Sequence, residues 1–99
     1  MGDLIWQFDD QPNTAVIANR KIFTSGEWIS YVCHDSDDGC WQFHINHTTA
    51  LNEEDAVLVS LESVINLDLS LNALADLPLG WFAWRASMKG VWKRARKID

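Results

Sequence analysis

Cys33, His34, Cys40, His44 and His47 form the one cluster of soft metal-ligand types in the sequence. A tetrahedral zinc centre needs four such side chains converging at about 2.0–2.3 Å, and the spacing C-x6-C-x3-H-x2-H matches no common zinc frame. Cys33, His34 and Asp35 also supply the residue types of a nucleophile, a base and an orienting acid. As neighbours on one strand they diverge, so they do not make a triad. Asp35-Ser36-Asp37-Asp38-Gly39 superficially resembles a calcium loop, but position six is Cys40 and position twelve is Asn46, where glycine and glutamate are needed. There is no phosphate-cradling glycine loop, nucleophile elbow or zincin helix. The expected reading is therefore a protein with no metal, no cofactor and no catalytic residues, in which Cys33 is a small core residue.

The elements that would position these residues begin with Ala15-Val16-Ile17-Ala18, a β-prone run preceded by an aromatic lead-in (residues 1–13) and followed by a turn or short helix, with turn residues at Thr24-Ser25-Gly26. Trp28 to His47 reads as a hairpin. A three-residue loop, Asp37-Asp38-Gly39, with glycine in the left-handed position, would pair Cys33 with Phe43 and Tyr31 with Ile45. That register collects Ile29, Tyr31, Cys33, Trp41, Phe43 and Ile45 on one face, and directs Cys33 and Cys40 to opposite faces. Ala56 to Val59 reads as a strand, Ser60 as the cap of a helical turn through Asn66, and Ser70 as a second cap before a segment stopped by Pro78. Trp81 to Ala86 is a further strand, from which Ser87 to Gly90 turns the chain into Val91 to Ala95. The expectation is a single α+β domain over residues 1–99, with a mostly antiparallel sheet of about five strands, short helices on one face and a tail at 96–99.

Ninety-nine residues suit one core, and 47% hydrophobic against 22% charged residues suit a folded chain. The net charge is −6. Its distribution is uneven: residues 1–84 hold 13 acids against Arg20 and Lys21, whereas residues 85–99 hold six bases against Asp99. An acidic body disfavours a protein whose main task is to grip nucleic acid, although Lys89, Lys93, Arg94, Arg96 and Lys97 interleaved with Trp84 and Trp92 keep a nucleic-acid-binding accessory domain as an alternative. A small metal-dependent enzyme is the other. No run reaches the roughly 20 apolar residues of a membrane span, and the N-terminus shows no secretory signal, so a cytoplasmic location is expected and the sequon Asn46-His47-Thr48 reads as coincidence. Six tryptophans exceed what so small a core encloses, so one or two are expected at the surface, Trp28 and Trp92 first.

The block Asp35 to Phe43, the basic pair Arg20-Lys21 that ends the first strand, and the Pro-x-Gly turn before the aromatic strand at Pro78 to Phe82 carry a family resemblance. Over about Ala15 to Arg85 the chain resembles a family of small bacterial α+β domains grouped with predicted immunity proteins of polymorphic toxin systems (immunity protein 33-like). Cys40, between Gly39 and Trp41, departs from the family's glycine-then-Trp-x-Phe strand. The resemblance transfers no catalytic motif and implies an inhibitor that binds a cognate toxin protein. Dense charge in loops then makes Asp35, Asp37, Asp38, Glu53, Glu54 and Asp55 the expected partner-binding acids, with Trp28 and Trp92 as aromatic anchors.

Overall fold

The computed structural model describes residues 6–45 and 53–98. His47, the sequon, and the Leu4-Ile5 part of the lead-in lie outside them. Six strands form one mixed, mostly antiparallel sheet: β1 (Ala15–Asn19), β2 (Tyr31–His34), β3 (Trp41–His44), β4 (Ala56–Ser60), β5 (Trp81–Trp84) and β6 (Lys93–Arg96). The spatial order is β4-β1-β3-β2-β5-β6, and the β1–β3 pair alone is parallel. Two short α-helices, α1 (Lys21–Thr24) and α2 (Leu61–Leu67), and a 3₁₀ helix over Leu69–Leu74 complete the α+β architecture. The sixth strand exceeds the expected count. It is the basic C-terminal run, which pairs with β5 from Lys93 to Arg96.

Local chemistry fixes the ends of these pieces. Ser60 leaves β4 in an extended conformation, and its hydroxyl accepts from the Ser63 N–H at 3.1 Å, starting α2 as its spacing predicted. The next helical segment is capped by Asp68 rather than Ser70: the Asp68 carboxylate accepts from the Ser70 N–H at 3.0 Å. Gly26, Gly39 and Gly80 take φ of 68°, 74° and 82°, a region L side chains avoid, and turn the chain after α1, at the hairpin tip and before β5.

The helices cover one side of the sheet. Val16, Ala18, Val32, Trp41, Phe43 and Ala83 face Leu61, Val64, Ile65, Leu71, Leu74 and Leu77 across a single core. Burying each large aliphatic side chain there stabilises the fold by about 1.5–3 kcal/mol. The lead-in docks onto the same core: Phe8 is buried and meets Trp41 edge-on at 5.2 Å, while Trp6 lies 5.7 Å from Phe8. The opposite side of the sheet carries, in cross-strand order, Leu58, Ile17, Gln42, Cys33, Phe82 and Ala95.

The β2–β3 hairpin corrects the expected register by one residue. Tyr31 pairs with His44 and Cys33 with Gln42, because the loop has four residues: the Asp35 N–H donates to the Cys40 carbonyl at 2.8 Å, and the Gly39 N–H to the Asp35 carbonyl at 3.0 Å. The Cys40 N–H is held by the Asp38 carboxylate at 2.9 Å. Trp41 and Phe43 therefore share the core side with Val32 and His34, not with Tyr31 and Cys33. Continued alternation brings Cys40 to the side of Cys33, against expectation; both thiols are free. The slip is tolerated because polar residues find partners on both sides. The His34 ring stacks on Trp41 at 3.9 Å and donates through Nδ1 to the Leu77 carbonyl at 2.7 Å.

Candidate functional site

Three places combine charge with unusual burial, and the first is built on Arg85. Arg85 follows β5, and strand alternation turns it to the core side, where it is 1% exposed. Its Nε donates to the Ile29 carbonyl at 2.9 Å, Nη1 to the Ser70 hydroxyl at 2.9 Å and Nη2 to the Asp68 carboxylate at 2.5 Å. The guanidinium lies 4.3 Å from the Trp92 ring centroid and 5.7 Å from that of Trp28. A cation held between indoles and a carboxylate explains why both tryptophans are half-buried. The expectation that Trp28 and Trp92 are surface residues is thus corrected, and no tryptophan of the chain is exposed. Beside this ion pair opens a cavity of about 580 Å³ whose wall includes Ile22, Trp28, Leu67 and Met88, with Glu27, Asp68 and Lys89 among its charged groups.

The second place is the side of the sheet away from the described helices. The Gln42 amide donates to the Asp35 carboxylate at 2.5 Å, so its carbonyl oxygen must accept, and His44 Nε2 donates to it at 3.0 Å. That fixes the neutral tautomer and leaves His44 Nδ1, on a ring 1% exposed, with no hydrogen-bond partner. Burial pushes the His44 pKa down; Asp35 opposes this and Lys97 adds to it. Tyr31, stacked on Phe82 at 5.4 Å, has its hydroxyl pushed up to about 12, first by burial and then by the neighbouring Cys33. Burial likewise raises Cys33, and burial followed by the Asp38 charge raises Cys40, so both are poor thiolates.

The third place is the pair of sheet ends where the expected interface acids lie. Asp35, Asp37 and Asp38 gather at the β2–β3 tip, with Asp37 and Asp38 exposed and Asp35 tied to Gln42. Exposed Leu79 borders that tip, and lines with Asp9, Asp10 and Asp76 a cleft of about 240 Å³. Glu53, Glu54 and Asp55 form a 3₁₀ turn leading into β4, at the opposite end of the strands, because Ala56 pairs with Asn19 at the far end of β1. The six acids therefore do not make one patch. Asp55 faces Lys21 at 3.9 Å, while Glu53 and Glu54 are exposed.

The tail cations line the opposite lateral edge from β4, although Lys97 reaches the tip end of the sheet, where its charge and that of Asp35 act on the same Cys33 and His44. Arg94 donates to the Ala73 carbonyl at 2.8 Å and pairs with Asp76 at 3.0 Å, and Lys93, Arg96 and Lys97 lie on or beside β6. One lateral edge of the sheet is basic. The other edge, β4, is flanked by Glu53, Glu54 and Glu62.

Missed from sequence were Arg85, its partner Asp68, and the Asp35–Gln42–His44 chain. Arg85 left one signal, since a charge continuing an aromatic strand at an inward position requires a buried partner. Among the described residues, no group of three or more His, Cys, Asp or Glu is arranged to hold a metal ion. Among the same residues, no helix is long and apolar enough to cross a membrane. Comparison with family models, with curated proteins and with solved structures returns no match to this chain.

Proposed function

We propose that this chain is a non-catalytic protein-binding module, acting as an immunity protein that inhibits a cognate bacterial toxin by direct binding. The observation that carries the reading is the segregation of charge across the sheet. Cations collect along β6, whereas exposed carboxylates occupy the hairpin tip and the approach to β4, where Arg20 and Lys21 offset part of their charge. Many toxin domains that attack nucleic acid are basic, and a negative field concentrated away from β6 would steer such a domain onto the β4 side and the tip. Exposed Leu58 and Leu79 lie within those regions and offer apolar anchors.

The nucleic-acid alternative has less support than the bare composition gave it. Of the residues it would use, Arg94 is tied to Asp76 and the Ala73 carbonyl, and the Trp92 ring is occupied by the Arg85 guanidinium.

The decisive experiment mixes the purified chain with the product of the adjacent gene, read by calorimetry and by growth of cells expressing that product. A one-to-one complex with rescue of growth is expected. Replacing Glu53 and Glu54 by Lys should slow association about tenfold at low salt and leave dissociation nearly unchanged. Neither heat nor rescue, or turnover of a small molecule by the isolated chain, would overturn the proposal.

A further inference from the structure

The two edges of the sheet are managed in opposite ways. An edge strand exposes unpaired N–H and C=O groups, and natural sheets blunt such edges with charge, above all lysine. β6 follows that rule, with Lys93, Arg94 and Arg96 in four residues. β4, read Ala-Val-Leu-Val-Ser, carries no charge and no proline.

The backbone of β4 can be assigned group by group. Its antiparallel register with β1 pairs Ala15 with Ser60 and Asn19 with Ala56. At the two ends, the Leu61 N–H donates to the Thr14 carbonyl at 2.8 Å and the Arg20 N–H to the Asp55 carbonyl at 2.6 Å. Hydrogen-bonded and non-bonded pairs alternate in such a ladder, so residues 55, 57, 59 and 61 turn their backbone groups to β1. Ala56 and Leu58 turn theirs outward, where no described strand lies. The Leu58 side chain is itself 73% exposed.

We propose that the outer edge of β4 is a docking site for an extended, basic segment of a partner protein, which joins the sheet as a further strand. This rests on the protein-binding reading above and names its surface. The main-chain groups of Ala56 and Leu58 supply the hydrogen bonds, and Leu58 the apolar contact. Charge selects the occupant. Glu53 and Glu54 flank one end of the edge and Glu62 the other, with Lys21 already engaged by Asp55, which leaves Arg20 as the remaining base near that edge. A second copy pairing about Leu58 would bring the Glu53–Asp55 turn of each chain against Glu62 of the other, and each copy carries −6. Like charge at both ends opposes that arrangement, whereas a basic strand satisfies it.

The test uses a synthetic peptide of alternating lysine and valine that spans the five residues of β4. Amide NMR of the whole chain should place the largest shifts, and newly slowed exchange, at Ala56 and Leu58, and a glutamate–valine peptide should produce neither. Leu58→Pro removes an outward N–H that the fold does not use, so it should keep the folded spectrum and weaken the peptide about tenfold or more. Leu58→Lys, which cannot break the β1 ladder, should weaken it as well. Shifts centred elsewhere, equal binding of the acidic peptide, or full binding by both variants would overturn the proposal. So would sedimentation showing the chain alone assembling through β4, whether with β4 or β6 of another copy. Loss of toxin binding with retained peptide binding would sink the toxin reading and leave the edge site standing.

Discussion

Removing Asp68 tests the reasoning most sharply, because that carboxylate serves two structures at once. It accepts from Arg85 Nη2 at 2.5 Å, and through its other oxygen it accepts from the Ser70 N–H at 3.0 Å and the Ser70 hydroxyl at 2.6 Å. Stripping the partner from a buried cation costs about 3–5 kcal/mol. The Asp68 side chain is 23% exposed, so water relieves part of that and the lower figure of about 3 kcal/mol applies. The lost cap adds about 1 kcal/mol, giving about 4 kcal/mol for Asp68→Ala. Arg85→Met keeps volume between the indoles and leaves Asp68 partly hydrated with its Ser70 bonds, but it orphans the Ile29 carbonyl, for about 2 kcal/mol. In the Arg85→Met background, Asp68→Ala should therefore cost only the cap, about 1 kcal/mol, and the pair should couple by about 3 kcal/mol. Urea unfolding followed by tryptophan fluorescence measures all four corners of this cycle. Because a 99-residue domain has only about 5–15 kcal/mol to lose, Asp68→Asn, which retains the cap, serves where the alanine variant is too unstable to fit. Equal costs of the Asp68 change in both backgrounds, within about 0.5 kcal/mol, would refute the claim that Asp68 is there to neutralise Arg85.

Gly39→Ala and Gly80→Ala should each cost about 1–2 kcal/mol in urea, because the new methyl meets only Leu79 at 3.9 Å or Ser36 at 3.6 Å and the penalty comes from φ alone. Gly26→Ala, with nothing within 4 Å, should match them, and an unchanged midpoint in all three would contradict the left-handed turns. His44 gives a pH dependence. Its pKa is lowered in the fold from 6.5, chiefly by burial, so as pH falls through 6.5 the unfolded chain takes up a proton that the native chain refuses. Stability should be complete above that pH and decline below it, and His44→Gln should flatten the decline in a series of urea midpoints.

The parts of the fold legible in the sequence are those decided within a few residues. Ser60 starts α2, Gly39 takes the left-handed turn, and the aromatic run at Trp81 forms a strand, because cap geometry, φ and β propensity are local. The hairpin register was not legible. Ser36-Asp37-Asp38-Gly39 supports a three- or a four-residue loop, and the choice is made at a distance by His34 on Trp41 and Leu77, and by Tyr31 on Phe82. The same limit explains the misplaced cap and the misread tryptophans: Asp68, 17 positions from Arg85, is recruited by that arginine, which also draws in Trp28 and Trp92. The separation of the two acidic loops was not legible either, since nothing local says that the hairpin tip and the β4 approach lie at opposite ends of the strands.

The acidic body and basic tail, which look like two properties in the sequence, act as one in three dimensions. The buried Arg85 guanidinium holds Trp92, just ahead of β6, and Arg94 pairs with Asp76, so the tail's charge first works as attachment. Once attached, β6 covers the edge of the aromatic strand β5 and presents lysine and arginine outward, which discourages a further strand from adding there. A sheet has two edges, and closing one with positive charge leaves the other as the place where, among the described residues, backbone pairing remains open. That edge lies across the sheet from the tail cations, next to Glu53, Glu54 and Glu62. A basic strand approaching in solution is therefore repelled by the edge that is already closed and drawn to the one with free hydrogen-bonding groups, so long-range field and short-range pairing favour the same side of the molecule.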